Sequence, residues 1–126
     1  MIGQKEDASN AETGSQFVPK FDANGLLTAV VVDADSNEIL MVAFMDAEAL
    51  GLTRETKLAH FHSRSRGKLW KKGESSGYVL QVRKMLVDCD QDALILHCDP
   101  AGPTCHTGAV SCFYRELGDD GLMPVD

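Results

Sequence analysis

The chain has 126 residues, a formal net charge of −7, 44% hydrophobic residues and 25% charged ones, which frames one ordinary globular domain with room for a core but not for two. No run approaches the roughly 20 apolar residues of a membrane span, and the opening "MIGQKEDASNAETGSQ" lacks the apolar stretch of a secretory signal. The acidic balance argues against general nucleic-acid binding, and the expected location is the cytosol, where clustered cysteines read as metal ligands or catalytic groups before disulfides.

Residues 1–16 are polar and without periodicity and read as a disordered tail; the domain is expected over 17–118, with a C-terminal tail over 119–126. "LLTAVVVDADSNEILMVAFM" predicts a hairpin, with strands Leu26 to Val32 and Glu38 to Phe44 around the turn formers Asp33, Asp35, Ser36 and Asn37. "MDAEALGLTRETKL" predicts a short helix: Asp46 caps it, Glu48 suits the first turn, and Ala49, Leu50 and Leu52 supply an apolar side. "LAHFHS" reads as a strand and "RSRGKLWKKGESSG" as a loop, followed by a second hairpin formed by "YVLQVRKMLVDC" and "DALILHC" around "DQD". "DPAGPTCHTG" is a loop, and "AVSCFYREL" a strand or a short helix. The expected class is α+β, mainly antiparallel sheet with one or two short helices in a single compact domain.

The segment 87–114 holds all four cysteines, two of the four histidines and four aspartates. Cys89, Cys105 and Cys112 are separated by 15 and 6 residues, unlike the C-x₂-C pairing of a closed zinc knuckle. Three thiolates with an open fourth position would hold zinc and a water whose pKa falls toward about 7, and His106, beside Cys105, is the candidate base. Cys98, inside "LILHCDP", reads as a small buried hydrophobe. Asp88, Asp90 and Asp92 form an oxygen-only set suited to Mg²⁺. On an extended chain they share a face opposite Cys89 but lie about 6.5 Å apart at the backbone, so one ion requires a bend near Gln91 or help from a substrate phosphate. The plainer reading of the three is a solvated acidic turn.

Seven of the twelve basic residues, Arg64, Arg66, Lys68, Lys71, Lys72, Arg83 and Lys84, fall between positions 64 and 84, where Glu74 is the only acid. One basic island on an acidic protein suits a small anion. Arg64, Arg66, Lys71, Ser75 and Ser76 are the candidate phosphate-binding residues, with Gly73 and Gly77 freeing the backbone. Trp70 either stacks on a base or packs on the core.

At "MVAFMDAEAL", "SRSRGKLWKKGESSG", "VDCDQDALIL" and "GPTCHTGAVSCFY" the chain closely resembles the phosphoribosyl-AMP cyclohydrolase family, which catalyses the third step of histidine biosynthesis; the resemblance runs from about Phe21 to Tyr114. It implies that Cys89, Cys105 and Cys112 bind zinc, that Asp88, Asp90 and Asp92 bind Mg²⁺, and that the active unit is an interlocked homodimer with zinc across the subunit interface. The implied reaction is hydrolysis of the N1–C6 bond in the adenine ring of N1-(5-phosphoribosyl)-AMP. Asp46 stands where that family often has Asn, and His62 where it often has Trp. Many relatives carry a fused pyrophosphohydrolase domain, for which the twelve residues after Tyr114 leave no room. Two other readings compete: a non-catalytic zinc module that binds a partner or RNA through the basic loop, with His106 or His97 closing the metal site, and a zinc nucleobase deaminase, whose H-x-E and P-C-x-x-C signatures are absent.

Overall fold

The apolar alternation of "LTAVVVD" and "ILMVAFM" forms, in a computed structural model describing residues 14–125, strands β1 (Leu27–Asp33) and β2 (Ile39–Met45). The tail expected over 1–16 lies outside the described residues except for its last three positions. β1 and β2 pair antiparallel, Val30 opposite Val42, with a bulge between Val31 and Val32 that leaves Leu40 as the extra residue. Their turn is held by Asp33, whose Oδ1 accepts the N–H groups of Asp35 at 2.8 Å and Ser36 at 3.1 Å.

Helix α1 (Ala47–Thr56) starts where expected: Asp46 Oδ1 accepts the Ala49 N–H at 2.8 Å. It ends at Lys57, which adopts a left-handed φ of 63°. Its buried side is Ala49, Leu50 and Thr53, with Leu52 only partly covered. Thr53 is tolerated there because its hydroxyl donates to the Ala49 carbonyl (2.8 Å) and accepts the His60 N–H (2.9 Å), tying the helix to the next strand.

That strand, β3 (His60–Ser63), pairs antiparallel with β4 (Lys68–Lys71), Phe61 opposite Trp70. β4 corrects the expectation of a continuous loop over 64–77. The basic character hid a two-residue apolar signal: Leu69 and Trp70 pack against the core, with the Trp70 ring 5.2 Å from that of fully buried Phe61. β5 (Leu80–Val87) and β6 (Ala93–Pro100) form the second expected hairpin. The four long strands make one sheet in the order β2-β1-β6-β5, in which β1 and β6 run parallel and the other pairs antiparallel. "AVSCFYREL" is neither strand nor helix over most of its length; only its end enters β7 (Arg115–Gly118), which pairs with β8 (Gly121–Pro124) in an exposed hairpin. The result is an α+β fold, mainly antiparallel, with one helix among the described residues.

One face of the sheet builds the core, with Leu27, Ala29, Val31, Leu94, Leu96 and Cys98 buried beneath Phe61 and the helix. The opposite face carries an apolar row across all four strands, Val42–Val30–Ile95–Leu86 in register. Val42 is 44% exposed and Leu86 46%, so this row is not covered within the chain. No helix among the described residues is long and apolar enough to cross a membrane.

Removing the cap tests the helix account. Asp46→Ala should lower unfolding stability by about 1 kcal/mol in urea at fixed protein concentration, with Asp46→Asn losing much less. Equal midpoints for all three proteins would mean that the cap contributes nothing.

Candidate active site

β5 ends at Val87, so Asp88, Asp90 and Asp92 do not lie on an extended strand as the alternation predicted. They occupy the β5–β6 turn, where Gln91 takes a left-handed φ of 61° and Asp88 Oδ1 accepts the N–H groups of Asp92 (2.9 Å) and Ala93 (3.1 Å). The bend near Gln91 does what one ion requires: a carboxylate oxygen from each acid lies within 4.8 Å of the others. Gln91 is itself buried and clamps the incoming chain, its Oε1 accepting the Val18 N–H at 2.7 Å and its carbonyl the Lys20 N–H at 2.7 Å. Crowding shows in the acidities. Hydrogen bonding to Asp88 and then Asp90 pushes Asp92 up to about 6. Asp88 is held below its ordinary value: its desolvation, which acts upward, is outweighed by hydrogen bonds from Asp92, Ala93 and Asp90. Mutual repulsion of this kind is what a bound cation relieves, and an exposed, oxygen-only set suits a hard divalent one.

A second site forms at the other end of the sheet. The loop after β6 returns to β2, where the Cys112 N–H donates to the Leu40 carbonyl (2.8 Å) and the Ser111 hydroxyl to the Ile39 carbonyl (2.7 Å). A tight turn, with Gly108 N–H donating to the Cys105 carbonyl at 2.9 Å, brings Cys105 against Cys112 as side-chain hydrogen-bond partners. The Thr107 hydroxyl donates to Cys105 Sγ at 3.1 Å and, with help from the Lys72 charge, holds that thiol below its ordinary value. Desolvation and the neighbouring Cys105 push Cys112 up. Two adjacent thiols of this kind suit a soft cation.

Cys89 is not part of this pair. Among the described residues, the acids of the turn form the only set of three or more candidate ligands mutually within reach. The sheet explains the separation. Cys89 precedes Ala93, while Cys112 is tied to the bulge at the level of Val32, whose partner on β6 is His97. Four residues of strand, about 13 Å at 3.3 Å each, lie between them. One chain therefore carries a pair of thiols at one end of its sheet and an exposed third thiol, beside the acids, at the other.

Cys105 of the pair lines a cavity of about 410 Å³. Of the candidate residues, Arg66, Trp70, Lys71, Ser75, Ser76, Cys105 and His106 all line it. Arg64 does not; its guanidinium stacks 4.0 Å above the Phe44 ring. Lys72 and Tyr78 line the cavity and were not singled out from the sequence. Lys72 was counted in the basic island but not among the phosphate-binding candidates, and its position follows directly after β4, which sequence alternation did not register. Asp46 and His62, the two departures from the family pattern, meet: Asp46 Oδ2 lies 3.2 Å from His62 Nδ1, close but without hydrogen-bond alignment. Cys98 is fully buried, and burial pushes its thiol up to about 12, in keeping with a packing role.

Comparison with known proteins bears on this arrangement. The family model for phosphoribosyl-AMP cyclohydrolase matches residues 41–114. A protein named phosphoribosyl-AMP cyclohydrolase from Erythrobacter litoralis is 61% identical over 118 residues, 94% of each chain. Proteins of the same name from Rhizorhabdus wittichii and Sinorhizobium medicae are 60% identical over 110 residues and 58% over 117, covering 87% and 91% of this chain and 89% and 78% of their own.

Thiol alkylation checks the placement of the cysteines. In the native, metal-free protein at about pH 8, Cys98 should stay unmodified by iodoacetamide while Cys89 reacts, and Cys98 should react only after unfolding. Native labelling of Cys98 as fast as Cys89 would contradict its burial.

Proposed function

The chain belongs to the phosphoribosyl-AMP cyclohydrolase family, enzymes of histidine biosynthesis, and on that premise we propose a zinc- and magnesium-dependent hydrolase that opens the adenine ring of N1-(5-phosphoribosyl)-AMP at the N1–C6 bond. The observation that carries this reading is the cavity of about 410 Å³, which gathers cationic and hydroxyl side chains, His106 and Cys105 of the thiol pair on its wall. Arg66 and Lys71, on the cavity wall, offer charge to the two phosphates of the substrate, and Ser75 and Ser76 offer hydroxyls beside them.

Cys105 and Cys112, together with Cys89 of a second copy of this chain, would hold zinc, which when bound would supply a Lewis acid that lowers the pKa of water toward about 7. The chemical balance is simple. Water oxygen bonds to C6, the C6–N1 bond breaks, and N1 leaves with a proton while C6 becomes a carboxamide. His106, on the cavity wall beside Cys105, takes the water proton on a ring nitrogen and returns it to N1. Asp88, Asp90 and Asp92 would hold Mg²⁺, and because they flank Cys89 they would enter the site with it; the ion, when bound, would supply positive charge to offset phosphate charge close to the reacting base.

Two features support the homodimer in which these halves meet. Each chain carries complementary parts of a three-thiol site that it does not unite itself, and the row Val42–Val30–Ile95–Leu86 leaves an apolar sheet face open to a twofold-related copy. The reading places the protein in the cytosol, where reducing conditions keep the ligand thiols free.

Metal restoration tests the proposal. Chelator-treated protein should not turn over phosphoribosyl-AMP, followed by the ultraviolet change on ring opening, until both Zn²⁺ and Mg²⁺ are returned. Asp90→Asn should raise the Mg²⁺ concentration at half-maximal rate by roughly tenfold and leave zinc content unchanged. Turnover indifferent to both metals would contradict the proposal, and loss of zinc in Asp90→Asn would contradict separate sites.

A further inference from the structure

A purine substrate presents a flat π-surface that cations and hydroxyls do not satisfy, and the cavity has two aromatic residues on its wall, Trp70 and Tyr78. They are not equivalent. Trp70 is half-buried and turned to the core, its ring centroid 5.2 Å from that of Phe61. Tyr78 is 45% exposed, so its ring is the one offered to an occupant.

The Tyr78 ring is also held in place. Its inner side rests on Gly102, where a Cβ would stand only 2.6 Å from ring atom Cδ1. Its backbone is seated on Gly73, where a Cβ would lie 2.5 Å from the Tyr78 carbonyl carbon and where φ is +86°. The Tyr78 N–H donates to Ser76 Oγ at 3.1 Å, linking the ring to the serines of the anion-binding loop. Two glycines from different loops thus make room for one exposed ring, which spends no ordering entropy when a ligand arrives.

We propose that Tyr78 is the stacking platform for the purine base of the nucleotide bound in this cavity. The inference rests on the cyclohydrolase reading and adds a substrate-binding residue to it. Stacking is indifferent to base edges, because every base has a π-face, so Tyr78 positions the ring plane while specificity is left to other groups. The cavity volume, about 410 Å³, is within the ordinary range for small-molecule sites.

The test compares a ligand with a base and one without. Affinities of adenosine monophosphate and ribose 5-phosphate are measured by calorimetry on the full-length, zinc-loaded protein and its Tyr78→Phe, Tyr78→Ala, Gly102→Ala and Arg66→Ala variants. Tyr78→Ala should weaken adenosine monophosphate by roughly tenfold and leave ribose 5-phosphate unchanged, and Tyr78→Phe should match the natural protein. Gly102→Ala should copy Tyr78→Ala by displacing the ring. If Tyr78→Ala binds adenosine monophosphate normally, or loses both ligands equally, while Arg66→Ala weakens both, the platform is refuted and the cavity reading stands. If no variant changes either affinity, the cavity is not the nucleotide site and both readings fall.

Discussion

The parallel pairing of β1 with β6 is the constraint on which the rest of the molecule depends. Both hairpins are local structures, each closed by its own turn, and only this non-local ladder joins them into one sheet. Because the two strands point the same way, the β5–β6 turn is left at the end where β1 begins, and the loop after β6 emerges where β1 ends and β2 starts. The acids and Cys89 are therefore sent one way, and Cys105 and Cys112 the other.

This geometry gives physical sense to the clustering of ligands in sequence. A compact run of cysteines and aspartates does not become one compact site. β6 passes through the middle of it, burying Leu94, Leu96 and Cys98 and splitting the ligands into two sets. Each set is organised by its own backbone device: a left-handed Gln91 with Asp88 accepting two N–H groups on one side, and a tight Cys105–Gly108 turn pinned to β2 on the other. Neither is a complete catalytic centre. The shared-site model follows from their incompleteness, together with an apolar sheet face that the chain does not cover.

How much of this was legible in the sequence depends on the range of the interaction involved. The two long hairpins, the Asp46 cap and the core role of Cys98 are carried by local alternation and composition, and they appear in the structure where the residues put them. The convergence of the three acids was readable as a need for a bend at Gln91, although not as a turn that removes them from the strand altogether. β4 was missed because its apolar content is just Leu69 and Trp70, and it becomes a strand by packing on Phe61, a partner visible only in three dimensions. The parallel pair and the exposed β7–β8 hairpin carried no local signal. At the site, Arg66, Lys71 and the serines, read from the basic island as phosphate-binding candidates, line one cavity, whereas Arg64, counted with them, stacks on Phe44 instead.

The measurement that bears most directly on the central claim is complementation between two inactive variants. Cys89→Ala and Cys105→Ala chains, each without turnover alone, are mixed in equal amounts after reversible dissociation, and heterodimers are confirmed by native mass spectrometry. In a heterodimer, Cys89 comes from the second variant and Cys105 with Cys112 from the first, so one of two sites is whole. Random pairing under twofold symmetry then predicts recovery to about a quarter of the natural activity, with zinc content rising in proportion. A site built within one chain predicts no recovery, and confirmed heterodimers without activity would contradict the shared site.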